Sequence, residues 1–166
     1  MKVLALATAL ALGLTACVSA PKPLLGTFSN LTPEEAAKGQ IGGELVRWGG
    51  RIVSVEPRSN SSCFEIVSAP LSDKARPEEV DQSLGRFIAC RAGFYEPEVF
   101  QEGREITISG RIEGFESRKV GDYNYNYPRV AADVVYLWPE RPDVVIDHSY
   151  YGPWYGGWYG GWGHRW

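Results

Sequence analysis

Histidine is almost missing from this chain. Only His148 and His164 occur, both near the C-terminus. Residues 1–147 therefore hold no imidazole, and neither a Ser-His-Asp nor a Cys-His arrangement can be assembled there. A metal site built from Asp147, His148 and His164 would require a Gly-rich segment to fold around the ion, so no metal is expected. The CxxC, HExxH and P-loop patterns are missing as well. Neighbouring carboxylates such as Glu34-Glu35 and Glu78-Glu79 point apart and read as solvated. No cofactor and no enzyme activity are expected. An excess of positive charge is also lacking: 17 Lys and Arg stand against 20 Asp and Glu, a net charge of −3. That balance argues against a nucleic-acid partner, whose usual footprint is a basic patch. Beyond residue 16, no apolar run approaches the roughly 18 residues of a membrane-crossing helix. Cysteine is scarce, with three residues: Cys17, Cys63 and Cys90.

The short apolar run that does exist is informative. Met1-Lys2 opens it, and Val3 to Ala16 has the length of a secretory h-region, too short for a bilayer core of about 30 Å. It ends in Leu14-Thr15-Ala16-Cys17. Those small residues before a Cys resemble the lipobox of bacterial lipoproteins, in which a peptidase cuts before the Cys and its thiol carries a diacylglycerol. The alternative is an ordinary signal peptide with an incidental Cys. Each buried CH₂ contributes roughly 0.8 kcal/mol, so two or more acyl chains on Cys17 would anchor the chain durably. Val18-Ser19 follow the Cys, where an Asp would be the inner-membrane retention signal. By analogy the destination is the outer membrane, with the domain facing the periplasm.

The remaining length suits one domain. We divide the chain into a leader (1–16), a tether (17–30), a β-domain (31–140) and a tail (141–166). Cys63 and Cys90 are an even pair in an oxidising compartment. A bond between them would contribute roughly 3 kcal/mol by loop entropy, and two buried free thiols are the alternative.

In the domain, Thr32-Pro33-Glu34-Glu35 matches a helix start: an N-cap, Pro at the first position and a capping box closed by Glu35. Gly39 ends that helix. The period then becomes alternating. Strands are expected at 44–56, 62–69, 84–91, 104–113 and 129–138, with 124–128 leading into the last. Residues 70–81 read as a loop and 96–100 as a single helical turn. Gly49-Gly50 inside the first strand suggests a bulge or a barrel corner. The pattern is all-β with little helix. A five-stranded OB-like small barrel is the first choice and a small open sandwich the second.

The tail is the other unusual feature. Residues 149–166 hold eight Trp or Tyr and six Gly among 18 residues. Trp154, Trp158, Trp162 and Trp166 recur every four residues, accompanied by Tyr150, Tyr151, Tyr155 and Tyr159. Pro153 and the Gly pairs disfavour a helix, so a disordered low-complexity segment is expected. Four destinations suit so much aromatic surface: the membrane–water interface, an envelope partner or self-association, stacking on glycans, or the chain's own domain. In the domain, Arg47, Trp48, Tyr123, Tyr125 and Tyr127 form a candidate face for an oligosaccharide or small ligand, with barrel core as the alternative for Trp48.

Arg47-Trp48-Gly49-Gly50-Arg51-Ile52, Phe64-Glu65-Ile66-Val67 with Pro70-Leu71, Ala75-Arg76-Pro77 and Gly85-Arg86-Phe87 follow one another in a specific order. Gly93-Phe94-Tyr95-Glu96-Pro97, the run from Ile106 to Gly114, and Tyr125-Asn126-Tyr127 through Trp138 continue it. In this order the chain resembles the Slp family of carbon-starvation-inducible outer-membrane lipoproteins over roughly residues 27–140. The resemblance implies an outer-membrane lipoprotein of Gram-negative bacteria linked to starvation or envelope stress. It supplies no catalytic residue, no molecular mechanism and no Cys63–Cys90 pairing.

Overall fold

The computed structural model describes residues 19–142. The leader, Cys17 and the tail from residue 143, with its expected disorder, lie outside the described residues. Five strands form: β1 (Leu45–Pro57), β2 (Ser61–Ala69), β3 (Arg86–Ala92), β4 (Glu105–Val120) and β5 (Tyr123–Leu137). They close into a barrel in the order β1-β2-β3-β5-β4, and β4 returns to β1. All pairings are antiparallel except β3–β5, where Ile88–Cys90 runs parallel to Arg129–Ala131. This is the OB-like arrangement the strand count suggested. The open sandwich falls away because the sheet closes on itself.

Period-two alternation sends Val46, Trp48 and Ile52 of β1 inward against Phe64, Ile66, Phe87, Ala89, Ile106, Ile108, Ile112 and Val130. Helix α1 (Pro33–Gly39) forms where the capping box predicts it. Thr32 Oγ1 accepts from the Glu35 amide at 3.2 Å, and Glu35 Oε2 accepts from the Thr32 amide at 2.9 Å. The helix seats Ala36 in the core. The turn at Glu96–Phe100 places Tyr95 and Phe100 against Phe64, each with ring centroids 5.3 Å apart.

Three expectations are corrected. First, β4 and β5 run far beyond 113 and begin well before 129, meeting at the two-residue turn Gly121-Asp122. A ribbon that packs its alternate side chains across other strands keeps its pairing even where both faces are polar. Second, the stretch read as a tether is packed over its described part. A 3-10 turn at Lys22–Leu24 buries Leu24 completely, and Ser29 bridges to Val46. Third, the register slips of β1 lie between Ile52 and Ser54, not at Gly49-Gly50. The glycines instead mark where backbones crowd. A Cβ on Gly50 would sit 1.9 Å from the Val67 carbonyl oxygen, and one on Gly110 would sit 2.1 Å from that of Ala131.

Gly50→Ala is therefore expected to cost about 3 kcal/mol, the upper part of the overpacking range. Gly114→Ala, whose Cβ would meet nothing within 4 Å, should change little. Urea midpoints of the two variants check this, and equal midpoints would refute the crowding argument.

Candidate functional site

The two ends of the described chain meet on one outer face of the barrel. Ala20 and Leu24 pack with Ala75 and Trp138, flanked by Val134 and Tyr136. The Trp138 indole donates to Thr107 Oγ1 at 2.9 Å, and the Thr107 hydroxyl donates to the Ala75 carbonyl at 2.7 Å. The Arg76 guanidinium covers the ring, 5.5 Å from its centroid. Cys17 precedes Ala20 by three residues, so chain length alone keeps the two within roughly 11 Å.

Arginines fix the other exit. Arg76 donates Nε to Glu105 Oε2 at 2.6 Å and Nη2 to the Pro139 carbonyl at 2.7 Å. Arg141 donates Nη2 to Glu105 Oε1 and to the Pro77 carbonyl, both at 2.8 Å. Burial would raise the Glu105 carboxyl, but the hydrogen bonds from Arg141 and Arg76 outweigh it and hold it below its ordinary value of 4.5. Composition and motif reading missed this clamp. The signal was there as two Arg-Pro-acid runs, Arg76-Pro77-Glu78 and Arg141-Pro142-Asp143.

Beside the same N-terminal segment lies a groove of about 500 Å³. Phe28, Leu31, Trp48, Leu71 and Leu84 give it apolar walls, and Arg47 is its sole charged lining residue. The Arg47 guanidinium stacks 5.0 Å from the Phe28 centroid and donates Nη1 to the Leu24 carbonyl at 2.8 Å.

The five residues of the candidate ligand face do not share a face. Arg47 and Trp48 are neighbours on β1, so alternation sends them to opposite sides of the sheet. Trp48 is 5 % exposed within the core, where its indole donates to the Leu31 carbonyl at 2.6 Å. Both still line the groove because its wall follows the barrel rim. Tyr123, Tyr125 and Tyr127 lie elsewhere, in a row on β5. Tyr127 is 1 % exposed, packed on Ile88 and on Cys63 and Cys90, which are directly opposed across β2–β3 and joined by a disulfide. Its hydroxyl donates to Glu65 Oε1 at 2.9 Å, and Tyr125 Oη accepts from the Arg86 amide at 3.0 Å. Burial first, then that bond to Glu65, push the Tyr127 hydroxyl above its ordinary range. The β5 ribbon thus covers the outside of β2–β3, and only Tyr123, at 69 % exposure, projects freely. Cys17 and the tail residues Tyr150, Tyr151, Trp154, Tyr155, Trp158, Tyr159, Trp162 and Trp166 lie outside the described residues. Among the described residues, no group of three or more His, Cys, Asp or Glu is arranged to hold a metal, and no helix is long and apolar enough to cross a membrane.

Comparison with known proteins agrees with the resemblance. The family described as "Outer membrane lipoprotein Slp family" matches residues 14–166. An uncharacterized protein of Haemophilus influenzae is 36% identical over 138 residues, covering 79% of this chain and 73% of that protein. The uncharacterized lipoprotein YeaY of Escherichia coli is 32% identical, over 90% of this chain and 79% of its own. The outer membrane protein Slp of Escherichia coli is 29% identical, over 88% and 79%. No solved structure matches.

The clamp carries a pH signature. A carboxyl whose folded pKa is depressed stabilises the fold above its unfolded value and loses that contribution as pH falls through the folded one. Glu105→Gln should thus lower the thermal midpoint at pH 7, and its deficit against the parent should shrink once the pH drops below 4.5. A deficit that stays constant down to pH 2.5 would show that the Glu105 charge is not what holds the exit.

Proposed function

The chain belongs to the outer membrane lipoprotein Slp family, and we propose that within it this protein is a non-enzymatic envelope component attached to the membrane at both ends of its chain. In this reading Cys17 carries the acyl chains, the barrel faces the periplasm, and the aromatic tail lies in the membrane interface or against an envelope partner. The observation that supports it best is the packing of Ala20 against Trp138 in one cluster on the outer face. The segment leading to Cys17 and the segment leading to the tail leave the barrel side by side, so one membrane surface can take both without straining the domain. Trp and Tyr suit such a surface because the ring is buried while the N–H or O–H stays wet. The family also suggests a link to starvation or envelope stress, which we take as the condition in which the component is needed.

A second reading is a ligand-binding module. The outside of β2–β3, where OB barrels take oligosaccharides, is filled here by Tyr125 and Tyr127. The groove at Arg47 and Trp48 is the observation that keeps this reading in play.

Cys17→Ala should release the protein from the outer-membrane fraction into the soluble periplasm. If it stays membrane-bound even when also truncated after Asp147, the lipid anchor is refuted. Mixed with lipid vesicles, the lipid-free chain from residue 18 should co-sediment and shift its Trp emission to the blue. The same chain ending at Asp147 should do neither. Identical behaviour of the two would turn the search for the tail's contact toward an envelope protein or glycan.

A further inference from the structure

The groove's lining narrows what could enter it. A volume of about 500 Å³ falls within the 300–1,000 Å³ typical of small-molecule sites. Its apolar walls are half-buried side chains, Phe28, Leu31, Leu71 and Leu84, with the edge of Trp48 behind them. The polar remainder is hydroxyl, amide and backbone from residues 26–33 and Ser68. In a chain of 20 carboxylates, none lines this groove. Arg47 supplies the lone charge, and its position is over-determined by the Phe28 ring on one side and the Leu24 carbonyl on the other. That carbonyl takes one Nη; among the described residues nothing takes the guanidinium's remaining donors. A fixed cation with free donors at one point of an apolar channel suits a molecule with one anionic head and one apolar chain. The groove also begins at Gly26, next to the Ala20–Leu24 segment that leads to Cys17, so it stands beside the membrane in the doubly attached reading.

We propose that the Arg47 groove binds a single-chain anionic amphiphile, with its carboxylate or phosphate head on the Arg47 guanidinium and its chain along Phe28, Leu31, Leu71 and Leu84. The proposal rests on the ligand-module reading and gives it a ligand class. It needs no contribution from the tail.

The test uses the whole mature chain bearing Cys17→Ser, which leaves out only the acyl groups. Calorimetric titrations with dodecanoate and with dodecyl phosphate, both kept below their micelle-forming concentrations, should each show one site. The two heads tell a fatty-acid source from a phospholipid-like one by which binds more tightly. Dodecyltrimethylammonium and inorganic phosphate should bind at least tenfold more weakly, since each lacks half of the recognition. Arg47→Gln should weaken both anionic probes at least tenfold, Arg47→Lys should retain most of the affinity, and Leu84→Ser should cost about tenfold. The tail is common to every variant, so these losses report the groove. Should Arg47→Gln not fold, Leu84→Ser and Arg47→Lys carry the test alone. Equal binding of the cationic amphiphile, or affinities unmoved by the variants, would overturn the proposal. Tri-N-acetylchitotriose separates the two levels: if it binds through Trp48 while the amphiphiles do not, the ligand module stands and the amphiphile falls. If nothing binds, both fall.

Discussion

An indole on the outside of a small barrel is a liability, and the burial of Trp138 organises much of what surrounds it. Water must be kept from its ring while its N–H keeps a partner. Four separate parts of the chain do this. Leu24 and Ala20 come from the N-terminal segment, Ala75 from the β2–β3 loop, Tyr136 from β5 itself, and Thr107 of β4 accepts the N–H. Arg76 closes the arrangement with its guanidinium on the ring and its Nε on Glu105. Ala75 holds a left-handed backbone conformation, φ 62°, rare for a residue with a Cβ. Its amide donates to Ser72 and its carbonyl accepts from Thr107, so the loop's hydrogen bonds hold that conformation in place. Remove the indole and the N-terminal segment, the loop and the Arg141 exit each lose a common support.

The opposite treatment of the two outer faces explains where a ligand can and cannot go. Over β2–β3 the barrel is covered by its own β5 ribbon, with Tyr127 seated on the Cys63–Cys90 bond and hydrogen-bonded to Glu65. Glu65 in turn accepts from Arg86 at 2.8 Å. Opening that face would leave a carboxylate, a phenol and a guanidinium to be resolvated together while apolar surface of Ile88 was exposed. The rim at Arg47 has no such cover. Its walls are already formed, so occupancy there costs no rearrangement of the barrel.

How far the sequence was readable follows from which force fixed each element. The capping box at Thr32 and Glu35 is local chemistry, and α1 lies where those residues put it. Strands whose inner faces are apolar, such as Ile106–Ile112, were legible from alternation. The ribbon at 114–128 was not, because Glu116, Arg118 and Asn124 make both of its faces polar. Only the period of two in Tyr123, Tyr125 and Tyr127 marked it. The docking of Leu24 was hidden for another reason: its partners Ala75 and Trp138 are distant in sequence, and Pro21, Pro23 and Ser19 give the stretch a linker's composition. The same non-locality hid the clamp on Glu105, which needs Arg76 and Arg141 from separate loops. Arg47 and Trp48 were legible as a pair worth singling out. The three tyrosines joined to them were on another part of the surface, which no spacing rule distinguishes.

Charge and apolar attachment contribute very differently at the exit face. A polybasic patch near an anionic leaflet gains about 1 kcal/mol per Lys or Arg. Here Arg76 and Arg141 are paired with Glu105, and Arg141 also with Glu79 at 3.1 Å, so their charge is spent within the protein. The chain as a whole is negative, at −3. Over a Debye length of about 8 Å at physiological salt, such a domain is mildly repelled by an anionic surface rather than drawn to it. Adhesion must then come from apolar terms. At roughly 0.8 kcal/mol per buried CH₂, a pair of acyl chains exceeds that repulsion many times over. The arginines are left free for a different task, which is to hold the two chain exits together on one face, so that whatever the ends attach to, they attach on the same side.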